Sequence, residues 1–128
     1  MLARTVRILF VEDNLDTATI VGRILRHSGY AILHAATLAA ALAIVEKEMA
    51  ADGLDLVVSD LGLPDGSGLD LMHELSAKYG LRGIAVTGFG MASDRELTTR
   101  AGFCRHLTKP VKVAALLTAI AELTQVSA

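Results

Sequence analysis

Leu54-Asp55-Leu56-Val57-Val58-Ser59-Asp60 is a short, nearly unbroken apolar run that ends on a carboxylate. A run that does not alternate with polar residues reads as a strand buried on both faces of a parallel sheet. Other runs follow the same plan. Arg7-Ile8-Leu9-Phe10-Val11 ends in the acidic pair Glu12-Asp13, and Ile84-Ala85-Val86 ends in Thr87. A weaker run from Phe103 to Leu107 is followed closely by Lys109-Pro110, and the stretch from Tyr30 to Ala35 is the faintest strand. In an open parallel sheet, ligands bind outside the carboxyl ends of the strands, where the strand order reverses. Carboxylates, a hydroxyl and an ammonium therefore converge on one rim, a set that suits a divalent cation and a phosphoryl group.

The connecting segments are helical. Leu38, Leu42, Val45 and Met49 form one apolar stripe; Ala18, Val21 and Leu25 form another, with Ile24 widening its face. Leu69, Met72 and Leu75 mark a third helix, and Val113, Leu116, Leu117, Ile120 and Leu123 line a fifth. Ser93-Asp94-Arg95-Glu96 has capping-box spacing and opens the fourth. Gly29, Gly53, Gly80 and Gly102 each stop a helical pattern ahead of a strand-like run. Glycine takes the left-handed conformation just past a helix end without steric cost. These stops recur at about two dozen residues, the length of one βα unit. The pattern predicts (βα)5: an α/β fold, doubly wound, with helices on both faces of a parallel sheet. Glu46-Lys47-Glu48 reads as a solvated helix end.

The 128 residues suffice for one domain, 1–128, and are too few for two. With 52% hydrophobic residues a full core is expected, filled by aliphatic side chains because Trp is absent. A formal net charge of −2 argues against nucleic acid as a direct ligand. No run is apolar enough to span a membrane and no signal-peptide pattern opens the chain, so a cytoplasmic location without membrane contact is expected. The lone Cys104 fits a reducing compartment, and its place in a strand predicts a buried, inert thiol.

The acidic centre admits two readings. Strand-end acids often cap helices or simply meet water, as expected here for Asp16 and Asp65. Lys109 alone reads as a surface lysine, and Thr87 alone as an ordinary β-branched strand end. Glu12, Asp13 and Asp60 at two strand ends, with Thr87 and Lys109 at two more, favour a functional centre. Like charges brought together raise one another's pKa unless a cation offsets them. Magnesium does so with oxygen ligands and few carboxylates. An aspartate can act as nucleophile and form an acyl phosphate. Lys109, the metal and the Thr87 hydroxyl then each meet one phosphoryl oxygen.

An acidic pair after strand one, Asp after strand three, Thr after strand four and Lys-Pro after strand five closely resemble the receiver domain of two-component response regulators. The resemblance covers about residues 5–125. It implies a flavodoxin-like five-stranded parallel sheet of order 2-1-3-4-5. It implies Asp60 as phosphoacceptor, Asp13 and Asp60 as ligands of Mg2+ (or Mn2+) with the Gly62 backbone carbonyl, and Glu12 holding metal-bound water. Thr87 is then the switch hydroxyl and Lys109 the lysine of that pattern. Asp60-Leu61-Gly62-Leu63-Pro64-Asp65-Gly66-Ser67-Gly68, Thr87-Gly88-Phe89-Gly90 and His106-Leu107-Thr108-Lys109-Pro110 resemble receivers fused to hybrid sensor histidine kinases. Where such receivers carry an inward-turning Tyr or Phe, this chain has His106. It serves either as the switch residue or as a strand-edge residue with a satisfied ring.

The expected partner is a histidine kinase or a histidine phosphotransfer domain, docking near the helix that starts at Leu15. The domain is expected to be a monomer or weak homodimer that catalyses only its own phosphorylation and dephosphorylation. The surface of the fourth helix, fifth strand and fifth helix is expected to switch. A free-standing or output-linked regulator is the runner-up. An aspartyl-nucleophile phosphohydrolase is disfavoured because such sites place a second Asp where this chain has Gly62. A nucleotide- or flavin-binding module is disfavoured because Glu12-Asp13 repels phosphate, and a degenerate scaffold because the acidic set is complete.

Overall fold

The computed structural model of the protein describes residues 5–88 and 95–124. The apolar runs become β1 (Arg7–Val11), β2 (Ala31–Ala35), β3 (Leu56–Asp60), β4 (Gly83–Thr87) and β5 (Phe103–Thr108). All neighbours pair in parallel, in the order β2-β1-β3-β4-β5. Between them run α1 (Leu15–His27), α2 (Leu38–Met49), α3 (Gly68–Tyr79), α4 (Arg95–Ala101) and α5 (Val113–Thr124).

Successive strand residues point to opposite faces, so a run apolar throughout feeds two cores. Ile8, Phe10, Leu56, Val58, Ile84 and Val86 pack with Leu25 of α1 and Leu116 and Ile120 of α5. Leu9, Val11, Val57 and Ala85 pack on the other face with Val45 of α2 and Leu71, Met72 and Leu75 of α3. Each fully buried Leu or Ile contributes about 1.5–3 kcal/mol. The two layers therefore supply the free energy that holds charged strand ends in place.

Local chemistry sets the ends of the helices. Asn14 Oδ1 accepts from Thr17 N at 2.9 Å and Thr37 Oγ1 from Ala40 N at 3.0 Å. Gly80 takes the left-handed conformation just past α3, with φ 68°. The peptide bond Lys109–Pro110 is cis. Asp65 caps a helix to which it is remote in sequence: its carboxylate accepts from Leu38 N at 2.7 Å and Ala39 N at 3.0 Å. Those bonds, that from Ala39 foremost, hold its carboxyl below the usual range. They tie the loop after β3 to the start of α2.

Several expectations are corrected. Cys104 is exposed. The β4–β5 register jumps from Gly83↔Phe103 to Ile84↔Arg105, so Cys104 is the extra residue of a bulge on an edge strand. Ile24 is 37% exposed and does not extend the buried face of α1, where the glycine at 22 sits instead. Glu48 is not simply solvated. It pairs with the Arg7 guanidinium, whose Nε also donates to the Gly53 carbonyl at 2.7 Å. Gly62–Leu63 and Gly66–Ser67 form a short antiparallel ribbon that the apolar pattern does not signal. Ser93 and Asp94 of the capping box, and Phe89 and Gly90, lie outside the described residues.

Gly68 positions the site from behind. A Cβ there would stand 2.2 Å from the Asp60 carbonyl oxygen and 3.0 Å from Leu61 Cα. Both obstacles are backbone, so neither can swing aside. Gly68→Ala is expected to lower stability by about 1–3 kcal/mol. An unchanged midpoint in urea unfolding would show that the β3–α3 loop relaxes freely.

Candidate functional site

Strand pairing builds the acidic centre. Val11 and Ser59 are Cα partners in the β1–β3 ladder, so Glu12 and Asp60, one residue further along each chain, share the same rim. Both are buried, Glu12 3% and Asp60 5% exposed, while Asp13 is exposed. The backbone N–H of Glu12 donates to Ala35 O at 3.0 Å, and its Oε2 accepts from Asn14 N at 3.1 Å. Carboxylate oxygens of Glu12, Asp13 and Asp60 lie within 4.8 Å of one another.

β5 delivers the balancing charge. Lys109 N donates to Thr87 O at 2.7 Å, continuing the ladder one step past the strand ends. From there Lys109 Nζ reaches Asp60 Oδ2 at 2.7 Å and Glu12 Oε1 at 3.4 Å. Burial works against the ammonium, but the hydrogen bond to Asp60 and the charges of Asp60 and Glu12 outweigh it and hold the Lys109 pKa above its ordinary value. Glu12 is also shifted upward. Burial is the main cause, followed by the hydrogen bond with the Asp60 carboxyl, and the opposing pull of Asn14 N–H and Lys109 does not cancel them. A cleft of about 550 Å³ opens here between polar Glu12, Asp60 and Lys109 and apolar Phe10, Val86 and Pro110.

Thr87 ends β4, 1% exposed, with Oγ1 2.9 Å from His106 Nε2. His106 therefore turns inward. Asp60, Glu12, Asp13 and Lys109 are brought together as the sequence predicts, and Thr87 closes the adjacent strand. Gly62 lies in the exposed short ribbon, two residues beyond Asp60.

Some contributors went unread in the sequence. Asn14 supplies the backbone donor to Glu12. His34, assigned no role from the sequence, donates from Nε2 to the Glu12 carbonyl at 2.8 Å. Its register partner Phe10 is the only hint, and register is a tertiary fact. Gly68 had a readable signal: glycine shortly after a strand marks close backbone approach.

The family model described as the response regulator receiver domain matches residues 8–121. The polar-differentiation response regulator DivK of Brucella ovis is 30% identical over 112 residues, 85% of this chain and 88% of that protein. The transcriptional regulatory protein GlrR of Escherichia coli is 30% identical over a match that takes in 100% of this chain and 28% of GlrR. The crystal structure of a CheY-like response regulator receiver domain protein from Methanospirillum hungatei superposes with a TM-score of 0.83 at 31% identity, covering 93% of each chain. Among the described residues, no helix is long and apolar enough to cross a membrane.

The raised Glu12 pKa has a thermodynamic signature. Between the ordinary carboxylate range and the raised value, the folded protein holds a proton that the unfolded chain has released, so stability falls as pH rises through that window. Glu12→Gln removes this loss. Without divalent cations, the wild-type protein is expected to lose stability relative to Glu12→Gln as pH rises above the ordinary carboxylate range, until Glu12 has titrated in the folded state. A pH-independent difference in urea-unfolding free energy would show that the carboxyl is not shifted.

Proposed function

The chain belongs to the response regulator receiver domain family, and from that premise we propose that it accepts a phosphoryl group from a phosphohistidine onto Asp60. The observation that carries this reading is the placement of Lys109 Nζ at 2.7 Å from Asp60 and 3.4 Å from Glu12, beside three carboxylates within 4.8 Å of one another. One ammonium against three carboxylates leaves room for a divalent cation. The donor set is all oxygen, as magnesium requires, with manganese as the alternative. In this reading Asp13, Asp60 and the Gly62 carbonyl hold the ion directly and Glu12 holds it through water. When bound, the ion neutralises the clustered carboxylates and the charge of the transferred group.

A carboxylate oxygen of Asp60 attacks phosphorus. The P–N bond of the partner's phosphohistidine breaks, its electron pair returns to the leaving imidazole, and an acyl phosphate forms. Lys109 moves with its charge from the carboxylate to a phosphoryl oxygen. The Thr87 hydroxyl donates to another, so the chain supplies position and charge rather than a separate acid or base. The partner, a histidine kinase or phosphotransfer domain, docks at the rim beside the start of α1. The added charge of about −1.5 to −2 then biases the α4-β5-α5 surface between two states. On its own the domain is not a turnover enzyme, since it acts only on its own aspartate.

Local motifs around Asp60, Thr87 and Lys109 support origin in a hybrid sensor histidine kinase acting at the cytoplasmic face. The match to DivK over most of both chains favours a free-standing regulator as the second reading. The reading frame flanking this segment separates the two: a contiguous kinase domain supports the first, and stop codons at both borders overturn it.

Incubation with magnesium and acetyl phosphate is expected to add one phosphoryl group by intact mass, and Asp60→Asn to abolish it. Undiminished labelling of that variant would put the nucleophile elsewhere. Lys109→Ala is expected to slow labelling by about tenfold or more. In the absence of magnesium it should also lose roughly 1–3 kcal/mol of stability, because two buried carboxylates lose the ammonium they share. A variant that labels at the wild-type rate would remove the lysine from the mechanism.

A further inference from the structure

His106 lies on β5 with Ala85 of β4 as its Cα partner, and its ring reaches along the sheet to Thr87. The 2.9 Å separation of Nε2 and Oγ1 is a full hydrogen bond, and Thr87 is almost completely enclosed. The hydroxyl is therefore held by the imidazole before any phosphoryl group arrives.

A threonine hydroxyl has one proton, and that proton points one way at a time. If it points at His106, Nε2 is the acceptor and Oγ1 offers lone pairs to the acidic centre. Lone pairs repel the oxygens of an aspartyl phosphate. If the proton points at a phosphoryl oxygen, Oγ1 has only lone pairs left for His106, and Nε2 must then carry hydrogen and donate. The two bonds are thus coupled by the valence of a single oxygen. A neutral donor–donor chain of this kind also strengthens each member by polarisation.

We propose that His106 is the positioning residue for the Thr87 hydroxyl, and that phosphorylation of Asp60 fixes His106 Nε2 in its protonated, donating form. This rests on Asp60 being the phosphoacceptor. The chain of donors runs from His106 Nε2–H to Thr87 Oγ1, and from Oγ1–H to a phosphoryl oxygen. In the neutral ring the hydrogen then sits on Nε2 and the enclosed Nδ1 carries none; in the charged ring both nitrogens carry hydrogen. What is fixed is the occupancy of Nε2, not the charge of the ring. A hydrocarbon ring at this position has no nitrogen to offer, so here communication between strand ends runs through a hydrogen bond rather than through packing.

The test uses the ¹⁵N-labelled chain with magnesium and beryllofluoride, a phosphoryl mimic that bonds to the acceptor carboxylate. Long-range ¹H–¹⁵N spectra report which imidazole nitrogen of His106 bears hydrogen. Beryllofluoride is expected to give a protonated-type Nε2 resonance, and Thr87→Ala to abolish its dependence on beryllofluoride. An Nε2 that stays unprotonated in the saturated wild-type protein overturns the proposal without any variant having to fold. Labelling by acetyl phosphate gives an independent arm. His106→Gln keeps a nitrogen donor near the position of Nε2 and should label at close to the wild-type rate. His106→Phe and Thr87→Ala should each slow labelling by about fivefold to tenfold, the worth of one hydrogen bond. The double variant should be no slower than Thr87→Ala alone, since His106 acts only through the hydroxyl that this substitution removes. Additive losses, or equal rates for His106→Gln and His106→Phe, would sink it. Absence of any label on Asp60 would instead sink the parent reading, a result visible by intact mass before His106 is touched.

Discussion

Two carboxylates buried at adjacent strand ends, held together by one ammonium, are the constraint on which this molecule turns. Glu12 and Asp60 are each almost fully enclosed, and Lys109 Nζ touches both. Removing an ion from water costs several kcal/mol, and mutual repulsion adds to it. The upward shift of Glu12 is the visible residue of that cost. Lys109 relieves part of it and leaves the three neighbouring carboxylates in excess of the one ammonium.

The sheet makes such an arrangement affordable. Each strand places alternate residues into one of two apolar layers, one under α1 and α5 and the other under α2, α3 and α4. Because all five strands are parallel, their carboxyl ends lie at one rim, and the reversal between β1 and β3 opens that rim to ligands. Backbone bonds then carry the rim slightly beyond the strands. Glu12 N–H reaches Ala35, and Lys109 N–H reaches Thr87, so the charged side chains start from fixed points. Gly68 lets α3 begin directly behind Asp60. Asp65 fastens the intervening loop to α2.

Thr87 and His106 extend this logic away from the acid cluster. β4 and β5 are adjacent, so a change in hydrogen bonding at the end of one is felt at the other. β5 is an edge strand with a bulge at Cys104 and is followed by α5. The hydrogen bond between Thr87 and His106 links the end of β4 to the edge strand beside it.

The fold and most of the site were legible because their signals are local. Continuous apolar runs, glycine stops and helical stripes report strand, turn and helix over a few residues each. The rule for parallel sheets then gathers Glu12, Asp13, Asp60, Thr87 and Lys109 at one rim. The features that escaped depend on partners distant in sequence. The exposure of Cys104 follows from a register jump against β4, the pairing of Glu48 from the approach of Arg7, and the cap on α2 from an aspartate in another loop. The outward turn of Ile24 reflects how α1 rolls against the sheet. Sequence by itself determined which residues are apolar, which are charged and in what order they come. Only the tertiary structure decided which charges are desolvated together and which hydroxyl meets which imidazole, because burial and hydrogen-bond distance are properties of packing between segments, not of any one segment.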